Sequence, residues 1–214
     1  MFNFSSKTIV NKEYKLSDFL TQIKANKEIR EDAKKIDKII FQNVINANSL
    51  NCIEEDDYKN IYVIKIHLKE VNIPRLFIEE LDKNIAFHTY FIFEYHSEIT
   101  TMMAFKEIGQ KIKINSRYYI SNRKQEETIP VPLLNSVKDA YKFILAHQIG
   151  IQSRNSELPD AYITRVKAIS KLQFQISKTE SGIKYETQPK KKFEYNERLR
   201  RYKSELEELI RVEE

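Results

Sequence analysis

The 214 residues carry a formal charge of +5, with 41% hydrophobic and 31% charged side chains. That is enough apolar material for one globular domain and an appendage, and it excludes a chain disordered throughout. Three widely spaced glycines, Gly109, Gly150 and Gly182, argue against a Gly-rich phosphate loop, and the single cysteine, Cys52, excludes a disulfide framework or a paired-cysteine zinc site within the chain.

The N-terminal stretch "MFNFSSKTIVNKEYK" has no apolar run of the kind that targets a chain for secretion. Ser17 or Asp18 is placed to cap a first helix through Phe19, Leu20 and Ile23. Ile29, Ala33, Ile36, Ile39 and Ile40 recur at helical spacing and predict a second helix over Lys27 to Asn43. "NANSLNC" breaks that pattern, and "EEDDYKN" reads as a charged loop.

The β-branched run "IYVIKIHLKE", Ile61 to Glu70, predicts a strand. A helix follows from Ile73 and Pro74, with Leu76, Phe77, Leu81 and Ile85 on its expected apolar face. "FHTYFIFEYH" is a second strand, and a short turn at Ser97 leads to a third, "EITTMMAFKE"; "KIKINSRYYISN" continues the sheet. The longest apolar stretch, Ile85 to Phe93, is far too short to span a bilayer. The β-α-β unit is compatible with parallel pairing of its two strands, and such a crossover would be right-handed. Ser136 opens a helix that Gly150 stops. "IQSRNSELPD" is a linker, after which a long helix is expected from Pro159 to Ser177, interrupted by Gly182 and Pro189 before a last helix to Glu214.

The fold class expected is α+β: N-terminal helices, a small mixed sheet with a packed helix, and a coiled-coil-like C-terminal helical hairpin. The corresponding segments are 1–52, 53–150 and 151–214.

Function has to be sought mainly in that last helix. From Lys184 to Lys203 there are eight Lys/Arg against three Glu, and from Ser204 onward five Glu against one Arg. Tyr195, Leu199, Tyr202, Leu206 and Leu209 recur at alternating spacings of four and three, a seam of barely two heptads. So short a helix needs a partner, and these five residues are the expected partner-binding surface. Lys190, Lys191, Lys192, Arg198, Arg200, Arg201 and Lys203 are the candidate phosphate contacts, and Tyr185, Tyr195 and Tyr202 have the chemistry to stack on bases. Tyr195 and Tyr202 also belong to the seam, where burial would forbid stacking. The bland alternative is a solvated helix face. A third reading is pairing with a helix of opposite polarity, an antiparallel second copy included.

Catalytic signatures do not stand out. His88 and His96, eight residues apart on one expected strand, would sit roughly 26 Å apart and share no metal. Asp57-Tyr58-Lys59 precedes the first strand, and Glu94 and Glu98 flank a hairpin turn without a following lysine, so a nuclease triplet is not assembled in sequence. No serine sits in a Gly-x-Ser-x-Gly elbow. No catalytic residue, metal or cofactor is assigned.

End to end, the chain resembles an uncharacterised bacterial family, domain of unknown function 4391. The resemblance lies in "TIVNKEYKLSDFL", in "IYVIKIHLKEVNIPRLFIEELDKNI" with "YFIFEY", in "AFKE" where the family has an aromatic-lysine pair, and in the closing "KKFEYNERLRRYKSELEEL". Ala86 departs from it, since many relatives carry proline there. The resemblance implies a small companion of large DNA helicases and DNA methyltransferases in restriction or antiphage gene clusters, and it carries over no catalytic residue. The expectation is a cytoplasmic, non-catalytic accessory subunit. It would dock on a helicase or methyltransferase subunit, with double-stranded DNA and a second copy through the C-terminal helix as further partners and no membrane. A divergent metal-dependent nuclease is the alternative.

Overall fold

The computed structural model describes residues 2–52, 58–123 and 128–211. It is mixed α/β and divides into two compact units, Met1–Ile149 and Gly150–Glu214.

The first unit is built on a six-stranded sheet of order β2-β3-β4-β5-β6-β9. In chain order its elements are β1 (Phe2–Asn3), β2 (Ile9–Tyr14), α1 (Leu16–Gln22), α2 (Lys27–Ala33), β3 (Ile36–Asn46), α3 (Ala47–Leu50), β4 (Asn60–Leu68), α4 (Arg75–Asn84) and β5 (His88–Tyr95). They continue with β6 (Glu98–Met103), β7 (Lys106–Ile108), β8 (Ile112–Ile114), β9 (Tyr119–Arg123), β10 (Ile129–Pro130) and α5 (Val137–Ile149). β4 and β5 pair in parallel, as the β-α-β reading allows, with Ile61 opposite His88 and His67 opposite Glu94. The other pairings of this sheet are antiparallel.

The second expected helix is a departure. Ile36 to Asn43 is not the second half of a helix: α2 ends at Ala33, and Ile36–Asn46 is the eleven-residue strand β3. Its register against β4 shifts between Ile36 and Lys38 and again between Phe41 and Asn43. Each bulge inserts an odd residue, so the buried positions fall at Ile36, Ile39, Asn43 and Ile45. That spacing imitates a helix, while the β-branched composition belongs to a strand. The first 52 residues accordingly supply β2 and β3 to the central sheet alongside the helices α1, α2 and α3.

The main core lies on one face of the sheet. Ile64 and Ile66 of β4, Phe91 and Phe93 of β5 and Met102 of β6 pack with Phe19 of α1, Ala33 of α2 and Phe77, Ile78 and Leu81 of α4. On α4 the buried stripe is Phe77, Ile78, Leu81 and Asp82, whereas Leu76, expected inside, is 54% exposed. α5 is tied to the sheet by Gln148, whose Nε2 donates to the carbonyls of Thr101 (3.0 Å) and Tyr119 (2.9 Å). Ser136 Oγ accepts from the Asp139 amide, and Gly150 takes the left-handed conformation (φ 79°) that ends α5.

The second unit is a helical hairpin of α6 (Pro159–Tyr185) and α7 (Pro189–Ile210). α6 runs straight through Gly182, where an interruption was expected. A Cβ there would meet only the ring of Tyr195, at 3.6 Å, so the residue sits where the two helices approach closely.

Candidate nucleic-acid interface

α7 has a composition that does not hold a helix alone: three consecutive lysines follow Pro189, and glutamates crowd its end. The second unit supplies two supports. The first is the seam. Tyr195, Leu199, Tyr202, Leu206 and Leu209 are half-buried, and each of the other residues of α7 is exposed. Tyr202 and Leu209 share a groove with Ala168, Leu172 and Gln175 of α6, and Tyr195 covers Gly182. The five residues expected to bind a partner therefore face α6 of the same chain. Lys203 adds an ion pair to Glu180 across the hairpin, at 2.9 Å.

The second support holds the acidic end. Arg165 Nη1 donates to the carbonyl of Leu209 (2.9 Å), and Arg154 donates to the carbonyls of Glu208 (2.9 Å) and Arg211 (3.2 Å). These last carbonyls have no partner within the helix, and their partial negative charge favours a cation. The arginines are held in turn. Glu157 accepts from Arg165 Nε and Nη2, both at 2.7 Å, and from the Arg154 amide at 3.0 Å. Burial pushes the Glu157 carboxyl up, but the Arg165 hydrogen bonds, the Arg154 amide and the two positive charges outweigh it and hold the carboxyl below its usual value. The positive partner expected for this acidic helix end is thus the pair Arg154 and Arg165, and it acts on the backbone. The Glu205 side chain is nearest Arg201 of α7 itself (3.7 Å).

With the apolar seam turned toward α6, the charges point outward. Lys190, Lys191, Lys192, Arg198, Arg200, Arg201 and Lys203 are all exposed. Arg200 pairs with Glu197 (3.2 Å), while Arg198 and Arg201 lie over the rings of Tyr195 and Tyr202. Among the described residues, Lys190, Lys191 and Lys192 enter no ion pair that would compete with a phosphate. Of the three tyrosines considered for stacking, Tyr195 and Tyr202 are turned to the seam, and Tyr185 is 78% exposed. Phe174 and Phe193, which sequence reasoning passed over, are exposed as well. Their signal was positional: neither lies on the heptad seam.

The first unit holds a different kind of polar cluster. Lys106, the lysine of "AFKE", is buried against the end of α4 and the α4–β5 connection and pairs with Asp82 of α4 at 2.5 Å, each side chain 1% exposed. Its ammonium also donates to the carbonyls of Ile85 (3.0 Å) and Phe87 (2.8 Å). Asp82 accepts from the hydroxyls of Thr89 and Tyr118. Burial drives the Lys106 pKa down against the opposing pull of Asp82. Burial and the neighbouring Asp82 charge push the Tyr118 hydroxyl far up. Every polar atom of the pair is satisfied, so the cluster is a pin joining α4 to the sheet rather than a site presented to a substrate.

The residues weighed for a nuclease do not assemble into a site. Glu94 pairs with Lys65 of β4 and lies 3.9 Å from His67 Nδ1, and Asp57 lies outside the described residues. His88 is stacked on Tyr58 and lies against Tyr141 at a tilt of 35°, while His96 sits in the turn after β5 with φ 51°. Among the described residues no three His, Cys, Asp or Glu side chains converge as a metal would require, and no helix is long and apolar enough to cross a membrane.

No curated protein matches the chain, and no solved structure does. The model of one family matches residues 2–206, nearly the whole length, and the chain belongs to that family, the domain of unknown function DUF4391.

Proposed function

We propose that this chain is a non-catalytic accessory subunit of a DNA-targeting defence assembly, docked on a large helicase or methyltransferase subunit and touching duplex DNA through α7. The observation that carries the reading is the division of α7: its seam residues Tyr195, Leu199, Tyr202, Leu206 and Leu209 turn to α6, and its seven candidate phosphate contacts all face solvent. Of these seven, Lys190, Lys191 and Lys192 enter no ion pair among the described residues and are the ones best placed to meet a polyanion. The assembly itself is the context that the family resemblance implies.

Two measurements test the proposal. Replacing Lys190, Lys191 and Lys192 together by Ala should weaken duplex binding equally across sequences. The slope of log affinity against log salt should become shallower by roughly 0.9 for each phosphate that the chain no longer neutralises. An unchanged slope removes α7 from the DNA interface. Affinity purification of the tagged chain from its own host should recover a helicase or methyltransferase, and recovery of neither removes the docking role.

A further inference from the structure

The hairpin has a second outward face, on α6, and it differs in chemistry from α7. At about 100° per residue, Phe174 lies about 200° round the helix from Leu172, which faces α7. Tyr185 is eleven residues further on, close to three full turns, so both rings lie on one line about 16 Å apart along the axis. Lys167 and Lys178 fall within about 40° of the same line, and both are exposed. Lys184 lies with its ammonium 5.8 Å from the Tyr185 ring centre. Phe174 is 69% exposed and Tyr185 78% exposed. The face reads Lys-Phe-Lys-Tyr from Lys167 to the hairpin turn, and three exposed lysines, Lys190, Lys191 and Lys192, follow in sequence after the turn.

We infer that this face is a stacking track for single-stranded nucleic acid, with Phe174 and Tyr185 receiving unpaired bases and the lysines receiving phosphates. The inference rests on the reading of the hairpin as a nucleic-acid interface and names the form of nucleic acid that its α6 face takes, beside the duplex met by α7. Two flat, solvated rings among cations suit a ligand that is both anionic and aromatic. Duplex bases are stacked on one another and cannot reach such rings, whereas the bases of a single strand can. An acidic protein segment would match the charge but would leave the rings without a stacking partner.

The test compares oligothymidylate with a blunt duplex of equal length, by fluorescence anisotropy on the full chain. The double variant Phe174→Ala, Tyr185→Ala should bind oligothymidylate more weakly by roughly 5-fold or more per ring. Its salt slope should not change, because no charge is removed. Its duplex affinity should stay at the parent value. Phe174→Trp with Tyr185→Trp should retain single-strand binding, since indole stacks at least as well. Both positions are exposed, and an unchanged circular dichroism spectrum confirms the folded state. Parental affinity of the alanine variant for oligothymidylate overturns the inference, and so does an equal weakening on duplex and single strand. The triple lysine variant separates this failure from that of the proposed function. Should it weaken duplex binding while the ring variant changes nothing, the α7 interface stands and the stacking track falls. Should it leave duplex binding unchanged, the α7 reading is the one that fails.

Discussion

Lys106 and Asp82 place two charges where water does not reach, and their cost is offset by geometry. The ammonium has three acceptors and the carboxylate three donors, so neither charge is left uncompensated. Removing one member of such a pair is far worse than removing both, because the survivor keeps its desolvation penalty and loses its partner. Lys106→Met should therefore cost about 3–5 kcal/mol in urea unfolding, and Asp82→Asn should be destabilising for the same reason. The double variant Lys106→Met, Asp82→Leu should cost less than the sum of the two. Single variants within about 1 kcal/mol of the parent would show that the network contributes little. The sequence held half of this pair in view: "AFKE" marked the lysine through the family resemblance. Its partner was hidden, because Asp82 lies 24 residues earlier on a helix read as having a purely apolar face. The face is set by Phe77, Ile78, Leu81 and Asp82, and only tertiary packing distinguishes it from one centred on Leu76.

Elements were legible where one periodicity acted undisturbed. β4, α4 and β5 follow a clean strand-helix-strand alternation, their order could be read directly, and parallel pairing was compatible with it. The seam of α7 was legible residue by residue, because a four-three spacing on a highly charged helix leaves few other places for apolar side chains. β3 was misread because two bulges broke the period of two. α6 was cut short because glycine lowers helix propensity, and propensity yields to packing. Gly182 offers a test at this scale. Its backbone is not in the left-handed region, and an added methyl would rest on the Tyr195 ring at ordinary van der Waals distance. Gly182→Ala should then raise stability by about 0.4–1 kcal/mol, chiefly by restricting the unfolded chain. A fall in stability in thermal or urea unfolding would mean that the hairpin cannot accept even a methyl group at its closest approach.

At the scale of the whole molecule the two units distribute stability unevenly. β4 is buried at five of its nine residues and β5 at six of its eight, with none exposed, and α7 has no fully buried residue in its described length. Native-state hydrogen exchange should therefore report two classes of amide: β4 and β5 opening only with global unfolding, and α7 opening locally at lower free energy. The polarity of α7 gives that difference a pH dependence. Glutamates near a helix C-terminus oppose the backbone dipole, and Arg154 and Arg165 offset them on the last carbonyls while Glu157 holds both arginines. The Glu157 carboxyl is lower in the folded chain than its ordinary value of 4.5, so the unfolded chain binds the proton more readily. The stability it contributes is fully present above about pH 4.5 and disappears as the pH falls through the folded value. Acidification below that point should reduce the protection of the last turn of α7 before that of β4 and β5. Glu157→Gln should show weaker protection of that turn at neutral pH and little further change on acidification. Equal protection of α7 and the central strands, or an acid response unchanged by Glu157→Gln, would place the restraint on α7 elsewhere than in the Glu157–Arg165 clamp.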